Sequence, residues 1–156
     1  MYQIPGFNSH FNNLRRGRGL ASYCKHQIVY HDIKQHNFQI SKLVMEQCDI
    51  VSLYRSQEEN GEIVNHISKL ISLENPTIIL GDMNLNFLIE NRHPLIQYLQ
   101  EMKFSQLVQS ATHQKGGLID LVFVSHHFNN HSTMIHQIGI YYSDHDRMHI
   151  QIKFKN

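Results

Sequence analysis

The sequence contains no tryptophan, and cysteine and proline are scarce, with two Cys and three Pro among 156 residues. Cys24 and Cys48 lie in apolar, strand-like runs far from ligand spacing, which argues against a disulfide framework or a structural zinc site. No apolar run approaches the length of a membrane span, and the N-terminus lacks the pattern of a secretion signal. We therefore expect an intracellular protein with free thiols and no membrane association.

A large net charge is also absent. Fourteen Lys and Arg residues against thirteen Asp and Glu residues give a formal charge of +1, so no overall field attracts nucleic acid, and any polyanion must bind locally. The densest basic patch is Arg15, Arg16 and Arg18, which is either a phosphate-binding cluster or a solvated basic loop. The thirteen histidines are scattered and favour compositional bias over a zinc cluster.

The length and the even composition predict one domain spanning residues 1–156. Apolar spacing at helical intervals predicts a helix over 60–73, and Pro94 is expected to open a second helix. Strand patterns alternate with these helices, which indicates an α/β fold. The predicted strands cover 20–24, its proposed partner 27–31, 38–44, 49–54, 77–80, 104–108, 118–124, 134–142 and 148–154.

Two polar side chains follow the short apolar strand 77–80. This strand ends at Gly81, and Asp82 and Asn84 come next, two residues apart. A carboxylate and a carboxamide just past a sheet edge can converge on one site. Gly-Asp and Asn are also common turn formers, so this motif alone leaves a plain turn and a functional site both open.

Asp120 is a stronger anomaly because it interrupts the apolar run 118–124. A buried charge is costly unless it is paired or binds a metal, and strand alternation places Asp120 on a mostly apolar face. The alternative is that Asp120 faces solvent, which requires an irregular strand edge. Further along, Asp144 and His145 join two predicted strands and offer a metal-binding or orienting carboxylate beside a titratable imidazole. A polar hairpin loop would contain the same residue types.

Four motifs in this order resemble those of the endonuclease/exonuclease/phosphatase superfamily, which includes pancreatic-type DNases, abasic-site endonucleases and endonuclease domains of LINE-type retrotransposons. A Gly-rich segment over 17–23 also resembles the approach to the G-G-x-A-x-Y strand of retroelement-type members. The motifs are Leu53-Tyr54-Arg55-Ser56 for Y-R-x-P without its proline, Ile79-Leu80-Gly81-Asp82-Met83-Asn84 for G-D-x-N, Ala111-Thr112-His113 with Leu118-Ile119-Asp120-Leu121-Val122-Phe123 for T-H-x(n)-I-D-x-V-F, and Ser143-Asp144-His145 for S-D-H.

The resemblance implies a fold and a set of roles. The fold would be a two-sheet α/β sandwich of mixed strands with flanking helices. Asp82 would position and deprotonate the attacking water, and Asn84 would orient Asp82 or hold a phosphate oxygen. His145 would contact the scissile phosphate, with Asp120 or Asp144 fixing its tautomer. These roles suit phosphodiester hydrolysis, which needs an in-line water and donors aimed at the phosphate oxygens.

The resemblance also implies ligands. Tyr54 would lie against the phosphate or leaving group, and Asp144 together with Asp82 would bind Mg²⁺ or Mn²⁺, since oxygen ligands suit these ions. The expected partner is DNA, with RNA as an open alternative. The residues expected to contact nucleic acid are Arg15, Arg16, Arg18, Arg55 and Thr112.

The sequence departs from the family on its N-terminal side. Family members begin with a strand carrying an Asn and a second strand ending in a metal-binding Glu, and neither is found here. The first carboxylates, Asp32, Glu46 and Asp49, come after the Gly-rich segment and do not replace that Glu by position. We therefore expect an N-terminally truncated sandwich with weakened metal binding and an exposed sheet edge.

Three functions are compatible with these observations. The first is a metal-dependent DNA endonuclease of retroelement type, impaired by the missing Glu. The second is a catalytically inactive remnant that binds nucleic acid through its basic patch. The third is a phosphatase acting on phosphoinositides or nucleotides, because fold resemblance does not fix the substrate.

Overall fold

The computed structural model describes residues 3–15, 18–90 and 92–155, without the side chains of residues 13–15 and 18. The predicted basic patch therefore lies outside the described part, entirely for Arg16 and in its side chains for Arg15 and Arg18. The elements are β1 (Asn8–Arg15), β2 (Arg18–Cys24), β3 (Val29–Lys34), β4 (Phe38–Val44), β5 (Asp49–Arg55), α1 (Ile63–Ile67), β6 (Thr77–Asp82), α2 (Pro94–Glu101), β7 (Ser105–Gln106), β8 (Asp120–Val124), a 3₁₀-helix (His126–Asn130), β9 (Ser132–Ile138) and β10 (Arg147–Lys153).

A six-stranded mixed sheet forms the centre of the molecule, in the order β3-β4-β5-β6-β8-β7. β5 and β6 are parallel because α1 lies in the connection between them, and the other neighbours are antiparallel. One face of this sheet packs against the helical side: the Phe38 ring lies 5.2 Å from the His66 ring, centroid to centroid. Leu53, Ile79 and Phe123 are fully buried on that face.

The opposite face is covered by two separate hairpins. In the β1–β2 hairpin, Asn12 Nδ2 donates to Ser41 Oγ at 3.2 Å and to Ile40 O at 3.1 Å, which holds the hairpin on β4. In the β9–β10 hairpin, side chains alternate between exposed and half-buried, and the half-buried ones, including Ile135 and Ile150, pack against the core. The structure thus confirms an α/β sandwich of mixed strands with flanking helices, its second layer built from two hairpins.

Several predicted boundaries differ from the structure. Strand 20–24 pairs with the polar segment 8–15, while the expected partner region forms β3 at the edge of the central sheet. The predicted helix 60–73 contracts to Ile63–Ile67, because its β-branched and Asn residues are weak helix formers and the chain continues in turns. The second helix does begin at Pro94, and His93 caps it by accepting from the Leu95 N–H.

Strand 134–142 ends at Ile138, and a turn follows at residues 141 and 142. Strand 104–108 shortens to two residues, Ser105–Gln106. Within the described ranges, no helix is long and apolar enough to cross a membrane.

Candidate active site

Three polar side chains stand next to one another on adjacent strands of the central sheet. Tyr54 is the register partner of Asp82 across β5 and β6, and Asp82 is the register partner of Asp120 across β6 and β8. Directly opposed residues project to the same face with Cβ atoms about 5 Å apart. All three are half-buried, on the face covered by the hairpins. Sheet register therefore brings these three distant parts of the sequence into one row.

His145 joins this row from the loop between β9 and β10. Its Nδ1 lies 2.9 Å from Asp120 Oδ2, and a carboxylate only accepts, so Nδ1 carries the proton and Nε2 is left for a ligand or a proton transfer. Two backbone hydrogen bonds hold the loop in place: Asp146 N donates to Thr112 O at 2.8 Å and Gln114 N to Asp144 O at 2.9 Å.

Asp82 is oriented by the turn that follows it. Its Oδ1 accepts from the backbone N–H of Asn84 at 3.0 Å. Asn84 has φ of +47°, a left-handed conformation that Asn adopts more readily than most residues. Its side-chain Nδ2 donates to Arg55 O at 2.7 Å, which ties the turn to the end of β5. Asn84 thus fixes Asp82 through its main chain while its side chain anchors the turn.

Gly81 allows β5 and β6 to approach just before the site. A Cβ atom added at Gly81 would lie 1.8 Å from Leu53 O, and its φ is +145°. Only glycine fits such a contact and such a conformation. Gly81 is therefore required by the close packing of β5 against β6.

The charges at the site perturb one another. Burial raises the pKa of Asp82, and the Asp120 carboxylate adds to this, while the Asn84 N–H and the nearby imidazoles of His145 and His113 lower it. Burial alone would lower the pKa of His145, but the hydrogen bond to Asp120 and the charges of Asp120, Asp82 and Asp144 outweigh it, so the net shift is upward. A protonated His145 beside these carboxylates is favoured.

Two overlapping groups of side chains have the donors of a metal site. Asp82, Asp120 and His145 form one group and His113, Asp144 and His145 the other, with ligand atoms within 4.8 Å of one another in each. The neighbouring carboxylates of Asp82 and Asp120 fit a divalent cation, which offsets their charge. Asp82 and Asp144, predicted to share the metal, fall in different groups joined through His145.

His113 belongs to the site, although no functional role was predicted for it. The Lys115 N–H donates to His113 Nδ1 at 3.0 Å, so Nε2 carries the proton and faces Asp144 Oδ2 at 3.3 Å. The ring also meets the His145 ring edge-to-face at 4.9 Å between centroids. The available signal was its position directly after Thr112 in the T-H motif.

The structure gives Arg55 and Thr112 structural positions in place of the predicted contacts with nucleic acid. Arg55 is 4% exposed, and its guanidinium donates to the Glu59 carboxylate at 2.9 Å and to Met83 O at 3.2 Å. Thr112 is fully buried, and its Oγ1 accepts from the N–H of Asp120 at 3.0 Å. Both side chains stabilise the site from inside the protein, because a buried group does not reach a polymer in solvent.

Comparison with known proteins identifies the family. Residues 48–149 match the model of a family described as endonuclease-reverse transcriptase. The chain belongs to this endonuclease-reverse transcriptase family. The matched region contains Tyr54, Asp82, Asn84, Asp120 and the Asp144–His145 pair, and membership agrees with the resemblance to the endonuclease/exonuclease/phosphatase superfamily. A comparison with curated protein sequences found no match.

Solved structures of this superfamily share the fold. The endonuclease domain of TRAS1, a telomere-specific non-LTR retrotransposon, has a TM-score of 0.69 at 12% identity, covering 93% of this chain and 77% of that one. An endonuclease/exonuclease/phosphatase family protein from Leptotrichia buccalis C-1013-b has a TM-score of 0.64 at 14% identity, covering 98% and 74%. At such identities, the likeness establishes the architecture of the endonuclease-reverse transcriptase chain and leaves its substrate to be argued from the site.

Proposed function

We propose that this chain is a divalent-metal-dependent endonuclease of retroelement type that hydrolyses a phosphodiester bond in DNA. The observation that carries the proposal is the row of Tyr54, Asp82 and Asp120, which His145 completes through its 2.9 Å contact with Asp120. A carboxylate, a carboxylate–imidazole pair and a phenol on one half-buried face supply a proton acceptor, a proton donor and a group for the leaving oxygen.

The roles of the side chains follow from their environments. The raised pKa of Asp82, caused first by burial, makes it a better acceptor for the proton of an attacking water than an exposed carboxylate. The raised net pKa of His145 favours the imidazolium, whose Nε2–H can donate to a phosphate oxygen. Asp120 stabilises that positive charge and fixes the ring. Tyr54, the register partner of Asp82, would contact the phosphate or the departing oxygen.

The donor set around these groups suits a divalent cation. Asp82 and Asp120, or Asp144 on the other side of His145, would hold it. When bound, the cation would offset the negative charge that develops on the phosphate during hydrolysis. Oxygen donors favour Mg²⁺ or Mn²⁺ among the common ions.

Two observations support DNA as the substrate. The family description joins an endonuclease to a reverse transcriptase, and one structural neighbour is the endonuclease domain of a telomere-specific non-LTR retrotransposon. An endonuclease encoded together with a reverse transcriptase would act on DNA.

Plasmid nicking tests the proposal. The wild-type protein should convert supercoiled plasmid to open circles with Mg²⁺ or Mn²⁺ and lose this activity in EDTA. Asp82→Ala and His145→Ala should remove nicking, whereas Glu101→Gln, an exposed carboxylate on α2, should leave it unchanged. Absence of nicking by the wild-type protein with either metal would refute the proposal.

The same experiment separates the two alternatives. Turnover of a small phosphate ester without DNA cleavage would indicate a phosphatase. DNA binding that weakens with salt, without cleavage of any substrate, would indicate an inactive nucleic-acid-binding domain.

A further inference from the structure

Two tyrosines next to the loop that carries His145 are largely exposed to solvent. Tyr141 is 96% exposed and Tyr142 is 74% exposed, in the turn that directly precedes Ser143 and His145. Their rings meet edge-to-face, with centroids 5.2 Å apart and planes at 87°. Large aromatic side chains are usually at least partly covered. Two neighbouring exposed rings beside an active site indicate a surface that binds a flat, apolar group of a ligand.

The loop that carries these tyrosines is fixed on its flanks. His145 N donates to Ser143 Oγ at 3.1 Å, and Gln114 Nε2 donates to Ser143 O at 3.1 Å. On the far side, Gln137 Nε2 donates to Asp146 Oδ2 at 2.6 Å. Gln137, in β9, also donates to Ala111 O. Because Gln114 and Ala111 tie the loop and β9 to the rest of the protein, the turn presents its two rings at a defined place.

The distance from the turn to the reacting centre suits a polymer substrate. Tyr142 precedes His145 by three residues, a stretch of chain that spans at most about 11 Å. Successive bases in a strand are about 3.4 Å apart, so a ring in this turn lies within a few nucleotides of the phosphate that His145 would contact. Exposed Lys115 and Arg147 lie on the two segments that flank the loop and supply cations for neighbouring phosphates.

We propose that Tyr141 and Tyr142 form a stacking platform for an unpaired nucleobase next to the scissile phosphate. This inference rests on the proposed endonuclease function. Both faces of a base inside a continuous duplex are covered by its neighbours, so only an unstacked base can lie on a tyrosine ring. Aromatic stacking of this kind tolerates any base, because every base has a π-face. The platform therefore selects the structure of the DNA at the cleavage point more than its sequence.

Binding measurements test the platform without requiring catalysis. Fluorescence anisotropy in EDTA compares a duplex containing one unpaired base with the matched continuous duplex. Replacing both tyrosines by alanine should raise the Kd for the unpaired-base duplex by about tenfold or more and change the Kd for the continuous duplex by less than about twofold. Replacing both by phenylalanine should preserve binding, since the ring is retained. Val29→Ala, at an exposed position at the opposite end of the central sheet, is the control.

Cleavage measurements then separate this inference from the proposed function. If the wild-type protein nicks DNA, the double alanine variant should raise KM on the unpaired-base substrate more than it lowers kcat. If the wild-type protein does not nick DNA, the endonuclease proposal fails. The anisotropy measurements still test whether the two tyrosines bind an unpaired base. Equal affinities of the alanine and phenylalanine variants, or an equal loss on both duplexes, would overturn the platform.

Discussion

Asp120 holds His145 from the strand next to the one that carries Asp82, through a 2.9 Å contact between Oδ2 and Nδ1. The imidazole comes from a hairpin of the second layer, while both carboxylates come from the central sheet. This contact therefore links the two layers of the sandwich at the site itself. Its loss is expected to affect catalysis more than folding, because the hairpin is also held by backbone hydrogen bonds from Asp146 to Thr112 and from Gln114 to Asp144.

The substitution Asp120→Asn tests this role. Asparagine keeps the size of the side chain but removes the charge that stabilises the imidazolium, so the nicking rate at saturating DNA should fall by about 10²-fold or more. The thermal midpoint of unfolding should change little, because Asp120 is half-buried at the surface of the site. Steady-state nicking assays measure the rate, and a thermal melting curve measures the midpoint of unfolding. A nicking rate within about threefold of wild type would argue against a role of Asp120 in stabilising the imidazolium.

Two glycines with positive φ provide a matched comparison of steric contact. Gly81→Ala would place a Cβ at 1.8 Å from Leu53 O, whereas Gly116→Ala would meet nothing within 4 Å. Gly116→Ala should cost about 1–2 kcal/mol for the left-handed conformation alone. Gly81→Ala adds a clash with the backbone and should cost about 3 kcal/mol or more. Urea unfolding measures the loss in free energy of unfolding for each variant. Equal losses in the two variants would show that β5 and β6 can move apart without an energetic penalty.

The buried ion pair between Arg55 and Glu59 should matter for stability. The two side chains are 5% and 1% exposed, and Glu59 also accepts from the Ile63 N–H at 2.9 Å. Glu59→Gln leaves the Arg55 charge without its partner and should lower the free energy of unfolding by about 3–5 kcal/mol. Exposed Glu58→Gln, measured in the same urea titration, should stay within about 0.5 kcal/mol of wild type. A small effect at Glu59 would mean that water reaches the guanidinium.

His93 should make folding stability depend on pH. Burial, followed by the positive charge of Arg55, lowers its pKa from the model-peptide value of 6.5. The unfolded chain therefore takes up the proton at a higher pH than the folded chain does. The His93 contribution to stability is present above pH 6.5 and is lost as the pH falls through the lowered pKa of the folded state.

The variant His93→Asn isolates this contribution, since asparagine retains a side chain that caps a helix and does not titrate. Urea midpoints at about pH 8 and about pH 5 should differ less for the variant than for wild type. An unchanged difference would assign the pH dependence to other histidines.

The sequence predicted the parts of the fold that depend on local pattern. The core strands β4, β5 and β6 were placed within a residue or two. Apolar, β-branched runs are distinctive, and the one in β6 is also bounded by Pro76 and Gly81. The β1–β2 hairpin was missed, since the polar segment 8–15 lacks strand alternation and is held by contacts such as Asn12 to Ser41. Such pairing depends on residues distant in sequence, which a local pattern does not contain.

The candidate site shows a similar division. The order of the motifs indicated Asp82, Asp120 and His145, and the structure brings these three side chains together. The motif did not distinguish side chains that face the substrate from those that support them. Arg55 belongs to the Y-R motif but points into the core, where Glu59, four residues later, pairs with it. Burial of this kind follows from the fold and is not encoded in the motif.

The register pairs Tyr54–Asp82 and Asp82–Asp120 have a consequence for how such a chain tolerates changes in length. The exposed loops between Asn84 and Leu118 can gain or lose residues without moving the row, because the register of three paired strands aligns it. A single residue inserted within β8 would turn the Asp120 side chain to the helical face of the sheet, away from Tyr54 and Asp82. Loop length outside the strands can therefore change without moving the site, while an insertion or deletion inside β5, β6 or β8 shifts the register that forms it.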